Sequence, residues 1–265
     1  MNIPKKIHYC WFGGNPLSEL AKKCINSWKQ FFPDYEIIQW DETNFDVNKT
    51  DFMKKAYMDK KWAFVSDVAR LLIVYENGGL YFDTDVEVIK SFDDILSDGH
   101  SAFFGFEKEG IVSSGLGFGA EKGNQFLKEL FQVYADIDYN EYREDLAKIA
   151  CPVLTTRFLE ENGLKKNNLR QDIDGVTIYP WEYFAPMDYF TGKIKKTKNT
   201  HTVHWYSASW QTGEQHRAFE KSRRMNRLFG RKISDNITGI ITCIKKEGFW
   251  TYLCNRLKKI LKKKK

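Results

Sequence analysis

Ser66-Asp67-Val68-Ala69-Arg70-Leu71, followed by Gly78-Gly79-Leu80-Tyr81-Phe82-Asp83-Thr84-Asp85-Val86, is the stretch whose reading decides the fold. Val65, Val68, Ala69, Leu72 and Tyr75 recur at a spacing that lines one helical face, which predicts a helix over Trp62–Glu76. Asn77-Gly78-Gly79 ends it, because glycine enters the backbone conformations in which helices stop. Leu80-Tyr81-Phe82 then reads as a buried strand running into Asp83-Thr84-Asp85, after which Val86, Val88 and Ile89 resume an apolar pattern. In an open α/β sheet, ligands gather where strands end. Two carboxylates separated by one residue can both turn toward one divalent cation, and hard oxygen ligands suit Mg²⁺ or Mn²⁺. Alone, such a triplet is more often a solvated or Asx turn. The helix stop and the buried strand aimed at it favour a site.

Working outward, Lys6–Phe12 reads as a strand closed by Gly13-Gly14. A helix follows with Asn15 as N-cap and Pro16 at its first position, its buried face formed by Leu17, Leu20, Cys24, Ile25 and Trp28. Tyr35–Trp40 is a second strand. Ala102–Phe106, Leu116–Ala120, Val176–Tyr179 and Thr202–Tyr206 read as later strands, and Asn124–Tyr134 and Val153–Glu161 as helices. Strands alternating with helices define one α/β domain over 1–215, with a basic, helical tail over 216–265.

At 265 residues and 42% hydrophobic, the chain can bury a substantial core, which excludes overall disorder. Five scattered cysteines support neither a disulfide framework nor a zinc site, so a reducing compartment is expected. The N-terminus lacks an apolar signal core and no run reaches membrane-spanning length, so the expectation is neither secretion nor an integral span. Residues 216–265 hold 16 Lys/Arg against 3 Asp/Glu, while the body is mildly acidic. That asymmetry points the tail at an anionic surface.

The two-part stretch resembles the glycosyltransferases of family 32, a sugar-transferring group with a DXD motif. Further matches are Ile3-Pro4-Lys5-Lys6-Ile7-His8-Tyr9-Cys10-Trp11-Phe12-Gly13-Gly14, Cys24-Ile25-Asn26-Ser27-Trp28, Pro33-Asp34-Tyr35-Glu36, and His204-Trp205 with Ser209-Trp210. The resemblance implies a GT-A-like, Rossmann-type nucleotide-sugar-binding domain, a nucleotide-sugar donor, a divalent cation (Mn²⁺ before Mg²⁺) and retention at the anomeric carbon; stacking on Trp11 favours a UDP-sugar over a GDP-sugar. Carried onto this chain, Asp83 contacts the ribose or sugar and Asp85 binds the metal, with Asp83 beside it. Asp67 and Arg70 hold the donor sugar and its phosphate side; the plain alternative is an exposed ion pair one helical turn apart.

Trp11 could stack on uracil or be a half-buried core residue, and the resemblance favours stacking. A late strand returning to the sheet edge could bring His204 to the metal; a lone histidine is usually a core or surface group, and the resemblance, with Ser209-Trp210 following, implies metal or diphosphate binding, with Ser209 and Trp210 hydrogen-bonding the diphosphate. His8 is read as structural. A Gly-Pro pair expected ahead of a Leu-Thr is Cys151-Pro152 here, and Ser113-Ser114-Gly115 reads equally as cleft wall or plain turn.

The expected function is transfer of a hexose to a hydroxyl of a glycan or lipid-linked glycan in capsular, exo- or lipopolysaccharide synthesis. A nucleotide-sugar hydrolase and a non-catalytic glycan- or membrane-binding module are the alternatives. No nucleic-acid partner is expected. In the tail, Trp250, Leu253, Leu257, Ile260 and Leu261 share one helical face flanked by lysines and arginines, which suits an interfacial helix on anionic lipid. The expected location is cytoplasmic, peripheral on the inner face of the membrane.

Overall fold

In the computed structural model, residues 3–207 and 213–234 are described. Ser209, Trp210 and the tail from residue 235, including the Trp250–Leu261 stripe, lie outside them. The chain divides into two units, one of Met1–Met187 with Ile194–Trp210 and another of Asp188–Lys193 with Gln211–Lys265.

In the first unit, strand β1 (Lys6–Cys10) leads to helix α1 (Glu19–Phe31) and strand β2 (Glu36–Trp40). Helix α1 begins three residues later than the Asn15-Pro16 pair suggests. Ser18 is the N-cap, its side chain accepting from the Ala21 amide, while the Asn15 carbonyl accepts the Trp11 indole N–H at 2.5 Å. The Asn15-Pro16 pair therefore belongs to the turn that precedes the helix.

Helix α2 (Asp51–Met58), capped by Thr50, is an addition to the elements that the sequence pattern marks. Helix α3 (Trp62–Asn77) ends at Gly78, whose φ of 64° needs no Cβ in the way, and strand β3 (Gly79–Tyr81) follows at once. A Cβ on Gly79 would sit 2.7 Å from the Lys6 carbonyl, so glycine lets β3 close on β1. After the acidic triplet come β4 (Val86–Val88), α4 (Asp93–Leu96), β5 (Ala102–Lys108), β6 (Ile111–Ser113) and β7 (Phe118–Ala120). The remainder is α5 (Gln125–Ala135), α6 (Tyr139–Tyr142), a 3-10 turn at Leu146–Ile149, α7 (Cys151–Glu161), β8 (Gln171–Ile173), β9 (Val176–Tyr179), α8 (Trp181–Phe184) and β10 (Thr202–His204).

The main sheet runs β2-β1-β3-β7-β5-β9-β8, with β6 paired to β5. Strands β2, β1 and β3 are mutually parallel, β7 runs against both β3 and β5, and β5 is parallel to β9. The carboxyl ends of β1, β3, β5 and β9 therefore share one edge. Strand alternation divides the core in two. Tyr81, Phe104, Phe106 and Phe118 pack with α2, α3, α5 and α7 on one face, while Ile7, Tyr9, Leu80, Phe82 and Phe103 pack with α1, Phe92 and Phe184 on the other. The α/β expectation holds: parallel strands alternate with helices at the start of the chain, and the acidic triplet follows β3 one residue on.

Strand β10 does not return to the main sheet. It pairs antiparallel with β4 in a separate two-stranded sheet, with Thr202 opposite Val88 and His204 opposite Val86. Trp205 extends this tie, its indole N–H donating to Glu87 at 2.9 Å, while Lys23 lies over its ring and ion-pairs Glu87 at 2.8 Å.

In the second unit, helix α9 (Gly213–Phe229) packs on the Asp188–Lys193 turn. Asn226 donates to the Phe190 carbonyl, Arg227 to that of Thr191, and the Arg231 guanidinium lies 3.8 Å from the Phe190 ring centroid.

Candidate functional site

Helix α3 and strand β3 deliver the site's charged residues from opposite ends of the decisive stretch. Asp67 and Arg70 are one turn apart on α3 and buried, at 8% and 2% exposure, which removes the exposed-pair alternative. The Arg70 guanidinium donates from Nη2 to Asp67 at 2.7 Å and to Asp83 at 3.1 Å, and from Nε to the Ser66 carbonyl at 3.0 Å. Its Nη1 is buried without a hydrogen-bond partner. The Tyr81 hydroxyl donates to the same Asp83 oxygen at 3.0 Å, and its ring lies under the guanidinium.

Burial works against the charge of each member of this group. It pushes Asp67 up to about 6 despite Arg70, with Asp83 pushing the same way. Burial also raises Asp83, opposed by Arg70 and reinforced by Asp85. The same burial would lower Arg70, but Asp83, Tyr81 and Asp67 together hold it well above its ordinary value.

Asp85 faces a different partner. Its Oδ1 lies 3.0 Å from His204 Nε2, its Oδ2 accepts the Ser207 amide at 2.8 Å, and its carbonyl accepts the Trp205 amide at 2.9 Å. Burial would raise this carboxyl, but the His204 charge and the hydrogen bonds from His204 and Ser207 outweigh it and hold Asp85 far below the usual range. Conversely, burial would lower His204, and Asp85 first, then Asp83 and Glu107, lift it above 6.5.

Ligand atoms of Asp83, Asp85 and His204 lie within 4.8 Å of one another. Two carboxylates and one imidazole suit Mn²⁺ or Mg²⁺, and His204 Nδ1, buried without a hydrogen-bond partner, is a nitrogen in want of one. The residues present fit a divalent cation.

Beside this centre, the Ser113-Ser114-Gly115 segment is a wall and not a surface turn. Ser113 and Ser114 are buried, and a Cβ on Gly115 would sit 2.6 Å from Asp83 Oδ2 and 3.1 Å from Arg70 Nη1. Cys151-Pro152 opens α7 behind it. The Cys151 thiol contacts Ser114 Oγ at 3.0 Å, and its backbone amide lies toward Asp67. Burial raises that thiol, so it serves as a packed polar contact.

At the end of β1, a cavity of about 620 Å³ is lined by Gly13, Gly14, Asn15, Glu42, Tyr57, Lys60 and Trp62. Glu42 accepts the Gly13 amide at 2.7 Å and the Tyr57 hydroxyl at 3.0 Å, and the Trp62 indole lies over Gly13 where a Cβ would be. Trp11 is not among the lining residues. It is half-buried, packing against the core on the α1 side of the sheet. His8 is structural as expected: Trp40 donates to its Nδ1 at 3.1 Å, so its Nε2 carries the proton and donates to the Gly78 carbonyl at 2.9 Å.

Sequence pattern alone does not reach Trp62, Glu42, Glu107, Tyr206 or Ser207. Only Trp62 carries a signal, as the first residue of a helix recognised for other reasons. Ser209 and Trp210 lie outside the described residues.

Residues 18–102 match the family described as the glycosyltransferase sugar-binding region containing DXD motif. This segment, which holds Asp67, Arg70, Asp83 and Asp85, is similar to that region of the DXD-type glycosyltransferases. Among individual relatives, the chain is similar to inositol phosphoceramide mannosyltransferase 3 of Schizosaccharomyces pombe, 29% identical over 136 residues, 48% of this chain. The match spans 36% of that relative's length. Solved structures with partial likeness include the PaToxG glycosyltransferase (TM-score 0.49, 20% identity, 60% of this chain and 68% of that one). Another is the galactosyltransferase LgtC with donor and acceptor sugar analogues (TM-score 0.41, 12% identity, 82% of this chain and 95% of that one).

Proposed function

We propose that the chain transfers a hexose from a nucleotide-sugar, a UDP-sugar before a GDP-sugar, to a hydroxyl of a glycan or lipid-linked glycan, with retention of configuration. The observation that carries this is the convergence of Asp83, Asp85 and His204 at the end of β3, within or facing a segment of DXD type. Asp85 and His204, with Asp83, would hold a divalent cation, Mn²⁺ before Mg²⁺. Such a cation supplies charge neutralisation at a departing diphosphate.

The chain's own groups do the rest. Arg70, fixed by Ser66, Asp67 and Asp83, sets a positive charge directly behind the Asp83 carboxylate, where it acts on a bound diphosphate through its field and by holding Asp83 in place. The cavity under Trp62 seats the nucleoside, with an indole face for the base and Glu42 within reach of ribose or base donors.

A titration of the purified chain with UDP and GDP, with and without Mn²⁺, followed by product release over a panel of their sugars, tests the reading. Mn²⁺-dependent nucleotide binding with slow hydrolysis of donor alone supports a transferase. Fast hydrolysis with water supports a hydrolase, and metal-independent or absent binding removes both.

A place at the inner membrane surface, in capsular, exo- or lipopolysaccharide synthesis, completes the proposal. The basic charge of residues 216–265 and the exposed Leu228, Phe229 and Ile233 in the second unit support it. Truncation after residue 245 should then release the protein from anionic liposomes. Equal sedimentation of truncated and full-length chains would overturn the membrane role.

A further inference from the structure

We infer that Glu107 holds the hexose of the donor, its carboxylate accepting a hydrogen bond from a sugar hydroxyl. The inference rests on the reading of the site as a nucleotide-sugar site, and adds to it the residue that meets the transferred group.

Position along the sheet edge comes first. The cavity beneath Trp62 follows β1, Asp83 and Asp85 follow β3, and Glu107 lies at the carboxyl end of β5, beyond β7 on the far side of β3. A nucleotide-sugar is a linear molecule of nucleoside, diphosphate and hexose. With the nucleoside at β1 and the diphosphate at β3, the hexose falls toward β5.

Local backbone supplies the second observation. The β5–β6 register shifts between Phe106 and Lys108, which leaves Glu107 as the extra residue of a bulge. Bulges re-aim a side chain at the rim of a sheet. Here the side chain lies within electrostatic reach of His204 and Tyr206. Tyr206 in turn has a φ of 50°, unusual for a residue with a bulky side chain, and its ring centroid is 4.2 Å from that of His204. Two irregular backbone positions from distant parts of the chain thus converge to bring a carboxylate to the metal-binding residues.

Chemistry supplies the third. Asp67 and Asp83 are engaged by Arg70, and Asp85 by His204 and Ser207. Glu107 is half-buried, so its carboxyl is neither solvated like a surface acid nor enclosed in the core. Such a group meets sugar hydroxyls with strong, directional acceptors.

The test separates nucleotide from hexose. Wild type, Glu107→Ala and Glu107→Gln are titrated, each with Mn²⁺, with UDP, GDP and their glucose-, galactose-, N-acetylglucosamine- and mannose-bearing forms. Glu107→Ala should hold the bare nucleotide as wild type does, which also reports an intact fold, and lose about tenfold or more in affinity for the hexose-bearing donor. Glu107→Gln, keeping one acceptor oxygen without the charge, should fall between. Unchanged affinity of Glu107→Ala for every hexose-bearing donor overturns the inference, as does an equal loss for nucleotide and nucleotide-sugar. A wild-type chain that binds no nucleotide with Mn²⁺ instead removes the underlying reading, and the inference with it.

Discussion

Asp85 and His204, 119 residues apart in the chain, meet at 3.0 Å because β4 and β10 pair with His204 opposite Val86. Asp85 also accepts the Ser207 amide, so it is a structural acceptor as well as a candidate ligand. Asp85→Asn should keep much of this bonding and lose Mn²⁺-dependent nucleotide binding with a melting temperature close to wild type. Asp85→Ala should lose that binding and also destabilise by about 1–3 kcal/mol, the cost of leaving buried partners unmet. Calorimetry and thermal melts of the two variants check this. Normal Mn²⁺-dependent binding in either sinks the metal assignment.

The same pair sets a pH dependence. His204 is raised above 6.5, so its contribution to the metal-free fold is complete below 6.5 and is lost as pH rises through the raised value. Asp85 is depressed below 3.8, so its contribution is present above 3.8 and is lost as pH falls through the depressed value. In chelator, the stability gap between wild type and His204→Asn should be widest between 3.8 and 6.5 and shrink toward alkaline pH. Mn²⁺ must displace the imidazolium proton, so its affinity should move the opposite way, tightening as pH rises. A gap that widens with pH would contradict the assigned charge state.

Arg70 carries a further prediction, since its guanidinium bridges Asp67, Asp83 and the Ser66 carbonyl while almost fully buried. Arg70→Met leaves one buried carboxylate, Asp67, and one half-buried, Asp83, without their cation, and about 3 kcal/mol of stability should go. Arg70→Lys should restore part of the stability and little of the nucleotide-sugar affinity, because one ammonium cannot reproduce the planar fork. Urea unfolding alongside donor titration distinguishes the two effects. Full donor affinity in Arg70→Lys would refute a role for the fork.

Gly115→Ala offers the finest probe of the wall. The new methyl would lie 2.6 Å from Asp83 Oδ2, a contact that the carboxylate relieves only by moving against Arg70 and Tyr81. Donor affinity should fall by about tenfold, the scale of a displaced charged hydrogen bond. Gly213→Ala, which like Gly115→Ala adds a methyl at a position without a left-handed φ but meets only Arg217 Nη1 at 3.6 Å, controls for the added methyl without a clash. Unimpaired donor binding in Gly115→Ala would show that Asp83 has room to spare.

Much of this site is readable because its signals are local. The period of Val65, Val68, Ala69 and Leu72 defines helix α3, and Gly78-Gly79 marks its end, since each depends only on neighbours in the chain. That frame places Asp67 and Arg70 on the helix and Asp83 and Asp85 at the strand end, while the roles expected of them come from the resemblance alone. The start of α1 does not follow from local pattern, because Asn15-Pro16 and Ser18-Glu19 both carry N-terminal chemistry and the Trp11 indole on the Asn15 carbonyl favours the second. Strand β10's departure from the main sheet is invisible in the sequence, for a three-residue strand with one apolar side chain, Val203, specifies no partner. Glu107 is hidden for a related reason: only a bulge and the unusual backbone of Tyr206 give it a direction.

The β4–β10 ladder also bears on biosynthesis. During translation the acidic triplet leaves the ribosome more than a hundred residues ahead of the histidine that pairs with it. Until the segment around Thr202 emerges and zips against Val88, a nascent chain holds Asp83 and Asp85 without His204, and its main sheet can assemble while the centre stays incomplete. Completion of the centre is thus tied to near-completion of the unit, and fragments released early carry the motif without the means to close it.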